Sequence, residues 1–157
     1  MFRAVGVVHT AAQKDDLRDG RGGIASQVEI FGEFEEALDG IEGFSHIFVI
    51  GYLNQLRQEQ TGVLKVKPRR LLRFGFSLED LPLLGVFSLD SPSRPNPVSL
   101  SLVPLVSRVG RMLNVTDLDL FDGTPVLDIK PYQSTYRVDR FAVPGWQQTF
   151  HDRMGHS

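Results

Sequence analysis

Apolar residues in this chain recur with a period of two over short runs, and almost nowhere with the period of a helix. That pattern limits the fold more than any other feature. Side chains alternate across a strand, so these runs read as strands. They cover residues 2–9, 27–31, 45–53, 63–67, 84–89, 98–102, 112–120 and 125–129. The run at 45–53 is too apolar for an edge strand, and the serines at 99 and 101 give the alternation of a half-buried one. Helical signals are fewer: residues 33–38 closed by Gly40, a single turn at 78–81, and residues 144–151, where Pro144 suits a first helical position. Short strands with turns between them predict a mainly β fold, a small antiparallel β-barrel with a few short helices.

Two places in the pattern are irregular. Between 112 and 120 the apolar parity changes: Leu113 and Val115 share one face, Leu118 and Leu120 the other, unless a bulge intervenes near Thr116. Residues 11–25 are charged and glycine-rich, which predicts a long surface loop, and loops of that length inside compact domains are often functional. At 157 residues and 41% apolar the chain suits one folded domain with a sizeable core. A net charge of −2 supplies no global positive field, so any contact with nucleic acid needs a local basic patch. With no cysteine there is no disulfide, thiolate metal site or cysteine nucleophile. The first residues lack the apolar core of a secretory leader and no run approaches a membrane span, so the expectation is a soluble, cytoplasmic protein without membrane contact.

Several chemistries are excluded by motif. There is no Gly-x-Gly-x-x-Gly between strand and helix and no phosphate-binding Gly-x-x-x-x-Gly-Lys-Ser/Thr. The carboxylates Asp117, Asp119, Asp122 and Asp128 miss a calcium-loop register, which needs an oxygen ligand at Phe121 and glycine at Asp122. The histidines at 9, 46, 151 and 156 lack metal-ligand spacing, so no metal is expected. A serine-hydrolase elbow is also missing.

Three segments carry chemistry. Residues 91–97, Ser-Pro-Ser-Arg-Pro-Asn-Pro, form a stiff extended loop, because each proline fixes its own φ and restricts its predecessor. It displays Arg94 and Asn96 at fixed positions, or it is simply a rigid turn. Residues 122–132 begin with the turn signal Asp122-Gly123, whose backbone groups suit an adenosine or an amino-acid moiety. On the strand that follows, Asp128 and Lys130 share one face, as a surface ion pair or as a pocket lining with Tyr132 at its rim. Lys65, Lys67, Arg69, Arg70 and Arg73, followed by Phe74 and Phe76, make either an RNA phosphate patch or a lysine-guarded strand edge.

Taken together, the stretches 5–9, 29–31, 38–47, 85–87, 91–92, 94–97 and 119–132 resemble the tRNA N6-threonylcarbamoyladenosine N6-methyltransferases, whose TsaA-like domain is a β-barrel. The order of the stretches is preserved over most of residues 3–132, and the last two are the most specific. The resemblance implies a barrel domain over residues 1–133, with 134–157 an extension packed on the barrel or on a dimer partner. It implies S-adenosyl-L-methionine as cofactor, tRNA as partner, a homodimer, and methyl transfer to N6 of threonylcarbamoyladenosine at tRNA position 37, beside the anticodon. Cofactor contacts then fall on Arg21, Asn54, Gln55, Leu100, Asp122, Gly123 and Thr124. RNA contacts fall on Arg69, Arg70, Arg94 and Asn96, and catalysis on Asp128, Lys130 and Tyr132.

The chain departs from the family pattern where an arginine is replaced by Asp90 and an aromatic residue by Ser93. These changes touch the cofactor and RNA side rather than the scaffold. A negative charge at position 90 repels phosphate, so the alternatives are an S-adenosylmethionine-binding module or a small-molecule methyltransferase that no longer acts on tRNA. Methyl transfer from a sulfonium is an in-line displacement, which asks the protein to align donor and acceptor and exclude water. The acceptor nitrogen loses a proton, which Asp122 or Asp128 can take.

Overall fold

In the computed structural model, residues 1–18 and 22–155 are described. Among them the order is β1 (Gly6–His9), α1 (Lys14–Arg18), β2 (Ala25–Ile30), β3 (His46–Tyr52), β4 (Lys65–Val66), β5 (Leu84–Gly85), β6 (Val98–Val109), β7 (Met112–Thr116), β8 (Pro125–Pro131) and α2 (Gly145–Met154). Short 3-10 stretches fill several connections, among them Gly32–Leu38 and Arg69–Phe74. Six strands close an antiparallel barrel in the order β1-β2-β7-β6-β3-β8, with β8 pairing back onto β1. Closure leaves no strand edge exposed along the ring. Strands β4 and β5 form a separate two-stranded ribbon.

The period-two pattern builds the core. Val8, Val28, Ile47, Val49, Val103, Leu113 and Val126 point inward from six different strands and are fully buried. Each such side chain contributes roughly 1.5–3 kcal/mol by leaving water. The 3-10 stretch Gly32–Leu38 closes one end with Leu38 and is pinned by Arg108. That guanidinium is 13% exposed, and its Nη1 donates to the Leu38 carbonyl at 2.9 Å and to Glu42 at 3.0 Å. On the outer face of β1 and β2, His9 and Glu29 meet at 2.7 Å, with Arg111 3.5 Å from the same carboxylate.

Several expectations change. Strand β6 runs to Val109 rather than stopping at 102, and β7 stops at Thr116 rather than 120. Asp117 takes a left-handed φ of 61°, and that turn, not a bulge, carries Leu118 and Leu120 into the same interior as Leu113 and Val115. The alternation at 98–102 is inverted: Ser101 faces inward, while Val98, Leu100 and Leu102 stand exposed. Leu118 and Leu120 plug this end of the barrel, which leaves room only for small residues opposite them. Residues 78–80 make the expected single turn without extending into a helix, and α1 forms inside the expected loop at 11–25.

Candidate functional site

The segment 117–124 organises one end of the barrel. The Asp117 amide donates to the Ile24 carbonyl at 3.0 Å, and the Gly23 amide donates to the Asp117 carboxylate. With Leu118 and Leu120 buried, the alternate residues Asp119 and Phe121 face outward. The Ser101 hydroxyl donates to Asp119 at 2.7 Å. The Ser99 hydroxyl accepts the Gly51 amide at 3.1 Å. Gly51 is required by close approach, since a Cβ there would lie 2.8 Å from Ser99 Oγ and 2.9 Å from Leu120 Cδ1.

The turn at 121–124 follows. Gly123 supplies the positive φ of 80° that a two-residue reversal needs. The amide and hydroxyl of Thr124 both donate to the Phe121 carbonyl, at 3.1 and 2.7 Å. Gly123 N donates to the Val8 carbonyl at 2.8 Å and Val8 N to the Thr124 carbonyl at 3.0 Å, so the turn is sewn to β1. The Asp122 carboxylate accepts the Thr10 amide at 3.0 Å, and its carbonyl accepts Gln55 Nε2 at 3.4 Å.

Two open clefts flank this segment. The larger, about 420 Å³, is lined by Leu17, Ile24, Arg70, Leu100, Asp117 and Asp119, among others. It opens where the β6–β7 ladder stops, since the last pair on that side is Leu105 with Val115 and the lining comes from residues beyond it. The smaller, about 290 Å³, is lined by Thr10, Gln13, Lys14, Gln55, Phe121 and Asp122. Helix α1 serves both, with Leu17 in the first and Lys14 in the second. Lys14 Nζ lies 5.1 Å from the centroid of the Phe121 ring. Apolar walls with a few charged groups suit an amphipathic small molecule. For a sulfonium cofactor the residues fit: the Asp122 carboxylate beside Gln55 would meet a cation or sugar hydroxyls, and Leu100 and Leu102 would give apolar area to a purine. Among the described residues no group of three or more His, Cys, Asp or Glu side chains gathers as a metal site.

The expected residues separate into groups. Gln55 and Asp122 meet in the smaller cleft, while Leu100 and Arg70 meet in the larger. Gly123 and Thr124 complete the turn, with Thr124 buried and its hydroxyl committed to Phe121. Asn54 is exposed beside Gln55, and Arg69 is exposed beside Arg70. Arg94 bends back and donates to the carbonyls of Leu89 and Ser91 at 2.8 and 3.2 Å, so it braces its own loop. The Asn96 carbonyl accepts the Val98 amide at 2.8 Å. Asp128 and Lys130 pair at 3.8 Å on the outer face of β8, half exposed and outside both clefts. Tyr132 sits with His46, Phe48 and Tyr136 in an aromatic cluster on the outside of β3 and β8. Arg21 lies outside the described residues.

Asp119 with Ser101, and Lys14 over Phe121, were not expected as site residues. The signal for the first was the alternation Asp117-Leu118-Asp119-Leu120, which aims two carboxylates away from two core leucines.

Residues 17–138 match the family model of the tRNA-methyltransferase O N-terminal domain. A probable S-adenosyl-L-methionine-binding protein of Pyrococcus abyssi is 35% identical over 153 residues, covering 92% of this chain and 74% of the relative. The tRNA (adenine(37)-N6)-methyltransferase of Mus musculus is 38% identical over 113 residues, 68% of this chain and 23% of that protein. A crystal structure of TrmO superposes with a TM-score of 0.69 at 28% identity, covering 93% of this chain and 63% of the solved one. The chain therefore spans rather less than two thirds of the solved TrmO chain and under a quarter of the mouse enzyme.

Proposed function

This chain belongs to the tRNA-methyltransferase O N-terminal domain family, and from that premise we propose that it is an S-adenosylmethionine-dependent methyltransferase acting on N6 of the adenosine at tRNA position 37, the site for which its mouse relative is named. The observation that carries the reading is the pair of clefts sharing α1 and the segment 117–122 as walls. Such a site holds two ligands side by side, as transfer between a donor and an acceptor requires.

S-adenosylmethionine supplies an electrophilic methyl group on a sulfonium. Gln55, Asp122 and the turn through Gly123 and Thr124 hold the cofactor, with Asn54 at the rim and Leu100 against its apolar part. Asp119, oriented by the Ser101 hydroxyl, takes the proton that leaves N6. Arg70 faces the same cleft. The threonyl group of threonylcarbamoyladenosine carries a carboxylate that a guanidinium binds with two parallel hydrogen bonds. Threonylcarbamoyladenosine is accordingly the acceptor in this reading. Arg69 adds a phosphate contact, Arg94 and Asn96 shape the neighbouring loop, and Asp128, Lys130 and Tyr132 position RNA on the outer face of β8. A second copy of the chain covers the outer face of β6 beyond the cleft, where Val106 and Val109 stand exposed.

Isothermal calorimetry with S-adenosylmethionine tests the cofactor assignment. Binding is expected, weakened about tenfold by Asp122→Ala through loss of a charge-assisted hydrogen bond. Mass spectrometry of tRNA nucleosides from a strain lacking the gene tests the substrate. Unchanged methylated threonylcarbamoyladenosine overturns the tRNA reading while leaving cofactor binding intact.

A further inference from the structure

The family match ends at residue 138, and α2 lies beyond it. This helix does not join the barrel core. Phe150, 7% exposed, is buried in a second apolar cluster with Leu71, Phe76 and Leu81, and Trp146 and Met154 pack at its margin. The three partners of Phe150 all come from one excursion of the chain, residues 67–83, between β4 and β5. Phe150 meets Phe76 edge to face, with centroids 5.0 Å apart and planes at 86°. The Arg153 guanidinium lies 5.1 Å from the centroid of the Phe76 ring.

The excursion leaves the ribbon through a narrow base. Its base is a ladder of two residue pairs, Lys65 with Gly85 and Val66 with Leu84. Within it Lys67 Nζ donates to the Leu78 carbonyl at 2.8 Å, and Ser77 caps Asp80. A ribbon this short is not stable in water without packing. The packing comes from α2. Leu71 is the immediate neighbour of Arg70, and successive side chains of a 3-10 stretch point about 120° apart. Burying Leu71 under α2 therefore dictates which way Arg70 leaves the stretch Arg69–Phe74, and Arg70 lines the larger cleft.

We infer that α2 is a clamp: by burying Phe150 against Leu71 and Phe76 it holds Arg69–Phe74 in place and sets Arg70 at the cleft that receives the anionic RNA substrate. Phe150 is a positioning residue in this scheme, acting through Arg70. The last link rests on the methyltransferase reading, whereas the mechanical link stands on packing alone.

Two readouts on the full chain separate these links. Trypsin cleaves after arginine, and cleavage of a transiently opened segment tracks how often it opens. Phe150→Ala is expected to speed cleavage after Arg69, Arg70 and Arg73 by about tenfold or more. The main unfolding transition and the S-adenosylmethionine Kd should stay put. Phe150→Leu, which keeps apolar volume, should restore most of the protection. In methyl-transfer assays Phe150→Ala should raise KM for tRNA about tenfold with kcat within about twofold, and in an Arg70→Ala background it should raise KM no further. Unchanged trypsin cleavage in Phe150→Ala overturns the clamp. So does loss of cofactor binding and of the main unfolding transition together, because α2 would then support the whole barrel. Faster cleavage with unchanged KM, or additive effects with Arg70→Ala, overturns the link to Arg70. If the wild-type chain transfers no methyl group, the methyltransferase reading fails and the trypsin result alone decides the clamp.

Discussion

Gly51→Ala perturbs the point where barrel and site meet. The new Cβ would sit 2.8 Å from Ser99 Oγ and 2.9 Å from Leu120 Cδ1, with Thr124 Cγ2 at 3.5 Å. Ordinary contact begins near 3.4 Å, so Ser99 and Leu120 must each retreat by about half an ångström. Ser99 can turn, at the expense of the hydrogen bond it accepts from the Gly51 amide. Leu120 is 2% exposed, so its side chain must repack inside the core beneath the segment that carries Asp119 and Asp122. Overpacking of this kind costs about 1–3 kcal/mol, or a Tm drop of about 2–12 °C for a domain of this size. Urea denaturation of Gly51→Ala, Leu120→Ala and the double variant gives the full cycle. The single substitutions should be strongly non-additive, with a coupling of at least about 0.5 kcal/mol, because shortening Leu120 removes the clash. A Gly51→Ala protein within about 0.3 kcal/mol of wild type, or strictly additive effects, refutes the argument.

Three further outcomes follow from the same geometry. Arg108→Ala should cost about 1.5–3 kcal/mol in urea denaturation, since a nearly buried guanidinium leaves the Leu38 carbonyl and Glu42 without it, whereas Arg137→Ala, whose partner Asp139 is as exposed as itself, should stay within about 0.5 kcal/mol. Asp128→Asn combined with Lys130→Ala should also leave stability within about 0.5 kcal/mol, because that pair is half exposed; a larger loss means it is buried in an assembly. The hydrogen bond from His9 holds the Glu29 carboxyl below its ordinary range, against the desolvation that raises it and with lesser help from the charges of His9 and Arg111. A lowered acid pKa stabilises above the unfolded value and loses that contribution as pH falls through the native one. Wild type and Glu29→Gln should therefore differ near neutrality and converge once the pH falls below the carboxylate range; a difference that persists there contradicts the assignment.

The barrel was legible because many of its inward residues obey a period of two, as at Ile47 and Val49 or Leu113 and Val115. The length of β6 was hidden by Pro104, since proline inside a central strand argues against the strand. The fold accommodates it at a change of partner: β6 pairs with β3 through Pro104 and with β7 from Leu105 onward. The faces of 98–102 were hidden for another reason. Leu118 and Leu120 fill the interior there from a segment distant in sequence, and no local pattern reports that. In the site, the turn at 122–124 was readable from Asp-Gly chemistry alone. For Asp119 alternation gave the outward aim but not the role, which depends on Ser101 reaching across from β6. The shared face of Asp128 and Lys130 was read from alternation, but alternation does not say whether a face meets a cleft or solvent.

The central claim is tested most directly by incubating the purified chain with S-adenosylmethionine and tRNA that carries threonylcarbamoyladenosine at position 37, then digesting the RNA to nucleosides for mass spectrometry. The account predicts conversion of that nucleoside to its N6-methyl form, strongly reduced in Asp122→Ala and Asp119→Asn. Recovery of unmethylated nucleoside after an incubation in which calorimetry shows the cofactor bound contradicts it.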